Sequence, residues 1–158
     1  MTQQRMSPAE LTPRTYRAMR ALEQSVAGEL RDAGVETELH ELLKIRASQL
    51  NGCGFCLDMH ITDARAAGVD NRRIDVLPAW REVDLYSDRE RATLALVEEV
   101  TLIHREGVSE EVWAEAEKRF SPAELAALLW AATTINAWNR LAVTTRSQPA
   151  SAARDSAE

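Results

Sequence analysis

The chain is poor in helix breakers, with six glycines and five prolines in 158 residues. Ala, Leu, Glu and Arg dominate instead, which favours helix. Strand-period alternation and hairpin dipeptides between apolar runs are missing, so the expected fold is all-α. Only two cysteines are present, which excludes a disulfide-rich secreted scaffold. No apolar run approaches the roughly 20 residues that span a bilayer. Basic charge is not in excess: the formal charge is −6 and the pI near 5.2. That argues against non-specific binding to nucleic acid or to an anionic membrane, and neither is expected as a partner. The opening residues, Met1 to Pro8, lack the apolar run of a signal peptide. A reducing cytosol is therefore the expected compartment. There, a close cysteine pair is more often catalytic or metal-binding than a permanent staple.

What remains is an ordinary globular composition, 45% apolar and 28% charged, long enough for one domain with its own core. About six to eight helices are expected over residues 1–146, with a small, polar, disordered tail over 147–158. Ser7-Pro8 reads as a helix start that Pro13 delays or divides. Tyr16, Met19, Leu22, Val26 and Leu30 form an amphipathic stripe, closed by Gly34. Thr37 is the next cap candidate. Leu39, Leu43, Ala47 and Leu50 make one face of that helix, and Glu41, Lys44 and Ser48 another. Asn51-Gly52 interrupts it, and a further helix is expected from near Cys53 to Ala67. Residues 71–77 read as a short helix or turn that Pro78-Ala79-Trp80 ends, opening a loop through Tyr86. Ser87 or Asp88 caps a helix running to Gly107, with His104 in its last turn. Helices from Ser109 to about Phe120 and from Pro122 to about 145 complete the chain. The last is the most apolar segment.

Chemistry concentrates in residues 41–60. Cys53 and Cys56 stand at a C-x-x-C spacing, His60 lies four residues beyond Cys56, and Glu41 lies twelve before Cys53. In a helix starting at Cys53, Cys53, Cys56 and His60 share one stripe. Unsatisfied N–H groups and the helix dipole at an N-terminus favour a thiolate, and a nearby imidazole can take its proton. A thiolate attacks a peroxide O–O bond to give a sulfenic acid, which a neighbouring thiol condenses to a disulfide. Glu41 would join this stripe if Asn51-Gly52 folds the chain back, supplying an acid/base carboxylate. Taken alone, Glu41 is a surface charge paired with Lys44 or Arg46.

Other readings stand beside this one. Two buried thiols acting as small hydrophobes is the plainest. Zinc is another, but Cys53, Cys56 and His60 supply three ligands where a structural site uses four. No metal and no cofactor beyond the cysteine pair is expected. His40 and His104 read as surface or helix-end residues. Trp80, Trp113, Trp130 and Trp138 read as core or subunit interface. Asn136, Asn139 and Arg140 read as polar groups satisfying backbone or crossing an interface within an apolar helix.

Glu41, Lys44-Ile45-Arg46-Ala47-Ser48, Asn51-Gly52-Cys53, Cys56-Leu57-Asp58-Met59-His60, Ala64-Arg65 and Gly68 closely resemble the core of the AhpD-like alkylhydroperoxidases of the carboxymuconolactone decarboxylase superfamily. Leu77 to Arg81, Tyr86 to Ala92 and Ile135 to Leu141 resemble later segments, so the likeness covers about residues 10–146. It implies an all-helical domain assembling as a homotrimer or homohexamer. It also implies thiol-dependent reduction of hydroperoxides, with a dithiol, thioredoxin-like or lipoyl electron donor. By match to the motif, Cys56 would be the peroxidatic sulfur, Cys53 the resolving one, and Glu41 with His60 the proton relay. Phe55 departs from members that carry a second histidine before the latter cysteine, which removes one relay station. Decarboxylase members generally lack the cysteine pair, so its presence argues against lactone decarboxylation. A general dithiol oxidoreductase and a metal-binding or redox-sensing oligomer are the alternatives.

Overall fold

A computed structural model describes residues 3–149. Among these it contains eight α-helices and one 3-10 turn, and no strand. The helices are α1 (Pro8–Leu11), α2 (Pro13–Asp32), α3 (Thr37–Leu50), α4 (Gly54–Ala66), α5 (Asn71–Asp75), α6 (Asp88–Thr101), α7 (Glu110–Arg119) and α8 (Pro122–Thr145). The 3-10 turn, Leu77–Glu82, lies between α5 and α6. The expected tail, 147–158, lies outside the described residues from 150 onward.

Local chemistry explains most boundaries. Pro13 does divide the first helix, because its ring cannot continue the hydrogen-bond ladder of α1. Ser87 and Ser121 each form a reciprocal capping box, with Glu90 and Glu124, and so fix the starts of α6 and α8. Three expectations need correction. Glu36, not Thr37, is the cap of α3. Pro78 does not open a loop: proline suits the first turn of a helix, and residues 77–82 coil as a 3-10 turn. Finally, α6 stops at Thr101, with Leu102 as its cap, so His104 lies in the following turn rather than on the helix.

Helix α3 is the centre of the bundle and packs against α4, α6 and α8. It carries eight buried residues, among them Leu42, Leu43 and Ile45. Burying each such side chain stabilises the fold by about 1.5–3 kcal/mol. The stripe of one face continues into Leu96 and Val97 of α6 and Leu128 and Ile135 of α8. A second cluster, around Trp80, Leu77 and Leu94, closes the other end. Partly buried Glu98 ties these parts together, accepting from Trp80 Nε1 at 2.8 Å and pairing with Arg46 at 2.7 Å. Because α3 is surrounded, its polar face is buried too: Glu41, Lys44 and Ser48 are all inside. Glu41 is thus no surface charge.

Candidate functional site

The turn between α3 and α4 builds the site. Gly52 follows the helix cap with φ +65°, the left-handed region that glycine enters without steric cost. Its N–H bonds to the Gln49 carbonyl at 3.2 Å, and the Cys53 N–H bonds to the Ser48 carbonyl at 2.9 Å. This pair of bonds is a Schellman ending. It delivers Cys53, three residues past the end of α3, as the N-cap of α4. Cys53 is therefore not within the first turn, as the spacing suggests, but immediately before it. The Cys53 sulfur accepts the backbone N–H of Cys56 at 3.4 Å. One turn later on α4, His60 comes to lie beside Glu41 of α3.

Both thiols are free and buried. A hydrogen bond from the Cys56 thiol holds Cys53 below the ordinary thiol range, outweighing the opposite push of burial. The backbone N–H of Cys56 and the amide of Asn139 add to that effect. Cys56 is pushed up, first because it donates to Cys53, then by burial and by the charge on Cys53. The first proton to leave the pair thus leaves its charge chiefly on Cys53.

Glu41 bridges two proton carriers. Its Oε1 lies 2.6 Å from Lys44 Nζ and its Oε2 lies 3.2 Å from His60 Nδ1. Burial pushes its carboxyl up, but the bonds from His60 and Lys44 prevail and hold it below the usual range. The bond at Nδ1 fixes the imidazole ring and turns Nε2 away from Glu41. Asp63 is a more distant neighbour, 3.8 Å from the same Nδ1 and half exposed.

A cavity of about 450 Å³ opens onto this cluster. Cys56, His60 and Lys44 reach its floor, while Tyr16, Phe55 and Trp138 supply apolar wall. Cys53 is not among the lining residues. The four residues expected to act together, Glu41, Cys53, Cys56 and His60, are thus all buried around the α3–α4 turn. Access separates the two sulfurs.

Two residues differ from the expectation. His40 is not a plain surface residue. Burial, followed by the Lys44 ammonium, drives its imidazole down to about 3, so it is neutral beside the site. Asn139, expected to satisfy backbone or cross a subunit interface, is instead fully buried against the cysteine turn. Its Nδ2 donates to Ser48 Oγ at 3.0 Å, and its Oδ1 accepts from Asn51 Nδ2 at 2.9 Å. It also lowers both thiols. An asparagine recurring on the inner stripe of α8 is the signal that marks it: the core face of such a helix has no use for an amide without a buried polar partner.

Among the described residues, the side chains that converge closely enough to share a metal ion are Glu41, His60 and Asp63, with ligand atoms within 4.8 Å of one another. The cysteines are not in that group. The Lys44 ammonium already occupies one Glu41 oxygen there and repels a second cation.

An all-helical bundle with a buried C-x-x-C at a helix start, backed by a carboxylate–imidazole pair, defines a class of dithiol protein. The chain matches the carboxymuconolactone decarboxylase family over residues 13–99 and belongs to it, as an AhpD-like member. It is 36% identical over 148 residues to the uncharacterized protein YdfG of Bacillus subtilis, covering 94% of this chain and 98% of that one. A crystal structure from Agrobacterium tumefaciens superposes with a TM-score of 0.87 at 36% identity, covering 93% of this chain and 98% of that one. That protein, ATU0492, is described as of unknown function and as a candidate antioxidant defence protein AhpD. The debrominase Bmp8 shares the fold, with a TM-score of 0.75 at 19% identity, over 91% of this chain and 75% of that one. Among the described residues, no helix is long and apolar enough to cross a membrane.

Proposed function

We propose that the protein is a thiol-dependent peroxidase that reduces organic hydroperoxides through Cys56 and Cys53. The observation that carries this reading is the shared cavity: Cys56 and His60 line it together, and Glu41 holds the far side of the imidazole at 3.2 Å. Family membership supports an enzyme, and the description of the Agrobacterium relative supports an antioxidant role.

Cys56 is the attacking sulfur because it is the one that meets the cavity. His60 Nε2 takes its proton as attack begins, with Glu41 stabilising the imidazolium. The sulfur bonds to the terminal peroxide oxygen, the O–O bond breaks, and the alkoxide leaves as alcohol once protonated. Cys53 then attacks the Cys56 sulfenic acid. An S–S bond forms, the S–O bond breaks, and hydroxide leaves as water. Cys53 suits this second step, since its N-cap position favours the thiolate that must attack. An external dithiol returns the pair to its reduced state by exchange. The chemistry needs no metal or organic cofactor beyond the two thiols.

Phe55, on the cavity wall, motivates a second reading. Its apolar ring favours an organic disulfide over a small peroxide, so the protein would be a general dithiol oxidoreductase. In either case the reduced pair belongs in a reducing, cytoplasmic setting. The exposed Trp130, Ile103 and Leu129 offer apolar surface for a homotrimer or homohexamer, which the molar mass in solution tests.

Peroxide consumption with dithiothreitol and a set of organic hydroperoxides tests the leading reading. Turnover should disappear in Cys56→Ser. A Cys56→Ser variant as active as the native chain would end it. Slow peroxide turnover beside fast disulfide exchange would select the oxidoreductase.

A further inference from the structure

Reduction of a hydroperoxide consumes one proton at the leaving oxygen, and nothing in the pair of thiols supplies it there. Lys44 lines the cavity from which that oxygen would leave. Its ammonium is buried, lines the same cavity as Cys56 and His60, and contacts Glu41 at 2.6 Å. Glu41 has one oxygen on each carrier, Oε1 on Lys44 and Oε2 on His60. A lysine whose only role was to neutralise Glu41 would have no need to reach the cavity that holds the reacting sulfur.

Resting on the peroxidase reading above, we propose that Lys44 is the general acid of the reaction, handing its proton to the departing alkoxide. The Cys56 thiol proton passes to His60 Nε2, and Glu41 Oε2 stabilises the imidazolium at Nδ1. The imidazolium then gives up its Nε2 proton through water in the shared cavity to the Lys44 amine, which Glu41 Oε1 holds in place. The thiol proton is in effect delivered to the leaving oxygen, so that thiol plus hydroperoxide gives sulfenic acid plus alcohol with atoms and charge balanced. An ammonium is a far stronger acid than the alcohol formed, so the last transfer is downhill.

The test uses two substrate types on the same protein. An alkyl hydroperoxide expels an alkoxide, which must be protonated. A peracid expels a carboxylate, which leaves without a proton. In Lys44→Met, reduction of the alkyl hydroperoxide should fall by about 100-fold or more, the usual worth of a general acid. Reduction of peracetic acid should fall far less, so that the ratio of the two rates shifts by about tenfold or more. Lys44→Arg keeps the charge but does not release a proton, and should show the same split. Equal loss with both substrates, or recovery of the alkyl hydroperoxide rate by arginine, would overturn the acid role. Because both rates come from one folded preparation, a loss of stability cannot mimic the split. Cys56→Ser should abolish both reactions. If it leaves them intact, the peroxidase reading fails, and it fails separately from the role of Lys44.

Discussion

The sulfur of Cys53 accepts the backbone N–H of Cys56 at 3.4 Å, so one half of the dithiol caps the helix that carries the other half. The arrangement makes the two thiols unequal before any substrate arrives. Cys53 sits among donors and tolerates charge. Cys56 donates its own proton to that charge and faces the cavity. A cap must be an acceptor, and a thiolate accepts better than a thiol.

The inequality is measurable. Titrating the reduced protein by thiolate absorbance should show one group ionising below the usual free-thiol range and a second well above it. In Cys56→Ser, Cys53 keeps the serine backbone N–H and gains a hydroxyl donor, so its low titration should persist. In Cys53→Ser, Cys56 loses the neighbouring charge that suppresses it, and its titration should move down. Two thiols titrating together near the free value would contradict the cap.

Asn139 should influence both thiols from α8. Asn139→Asp keeps the size and the acceptor for Asn51 but replaces the amide donor with negative charge. The first thiol should titrate upward by about one unit or more, a tenfold loss of thiolate near neutrality. The rate of alkylation by iodoacetamide at pH 7 reads this directly. Thr101→Val supplies the comparison, because Thr101 Oγ1 accepts from Asn136 at 3.0 Å in the same polar network. It should cost stability, about 1 kcal/mol for a lost buried hydrogen bond, and leave the thiol titration in place.

What could be read beforehand follows from where the information lies. The fold was legible because its signals are local: apolar residues at helical spacing, serine caps with glutamate three positions on, and glycines after helix ends. Gly34 and Gly68 close α2 and α4 as their positions suggest, both with positive φ. The nearness of Cys53, Cys56 and His60 was legible because they lie within eight residues, but the place of Cys53 as a cap outside the helix was not. Glu41 needed the bend at Gly52, which spacing allows but does not require. Asn139 was out of reach altogether. Its partners Ser48 and Asn51 lie 91 and 88 residues away, and only packing of α8 across α3 brings them together. The burial of Lys44 was hidden likewise, because a lysine three residues from a glutamate looks like a surface pair until α4 covers it.

Acid should weaken the fold through His40. Its imidazole is held neutral, with a folded value of about 3 against 6.5 for a free histidine. Between those values the unfolded chain binds a proton that the folded chain refuses. The stabilisation is complete above about pH 6.5 and is lost as pH falls toward 3. At pH 5 the protein should be less stable than at pH 7 by about 1–2 kcal/mol from this group. Urea unfolding at the two values measures it. His40→Gln should flatten the slope in this range, leaving the decline at lower pH from Glu41, whose depressed carboxyl loses its contribution only below the ordinary carboxylate range.

Gly52 couples the fold to the chemistry. A Cβ at this position would meet nothing within 4 Å, so a side chain has room. The backbone is the obstacle: φ is +65°, and an L-residue held there costs about 1–2 kcal/mol. Gly52→Ala should therefore lower stability by about that amount with no loss of packing. The strain has one easy release, rotation of the turn away from the left-handed region, and that would break the Cys53 N–H to Ser48 bond and shift Cys53 from its cap. Gly52→Asn, which tolerates the left-handed region better, should recover part of the stability and keep the turn. The decisive comparison is thiol reactivity. If alanine slows alkylation of the reduced pair at pH 7 while asparagine does not, the turn sets the ionisation of Cys53. If both variants lose stability but alkylate like the native protein, the cap is formed by α4 alone and the Schellman ending serves only the fold.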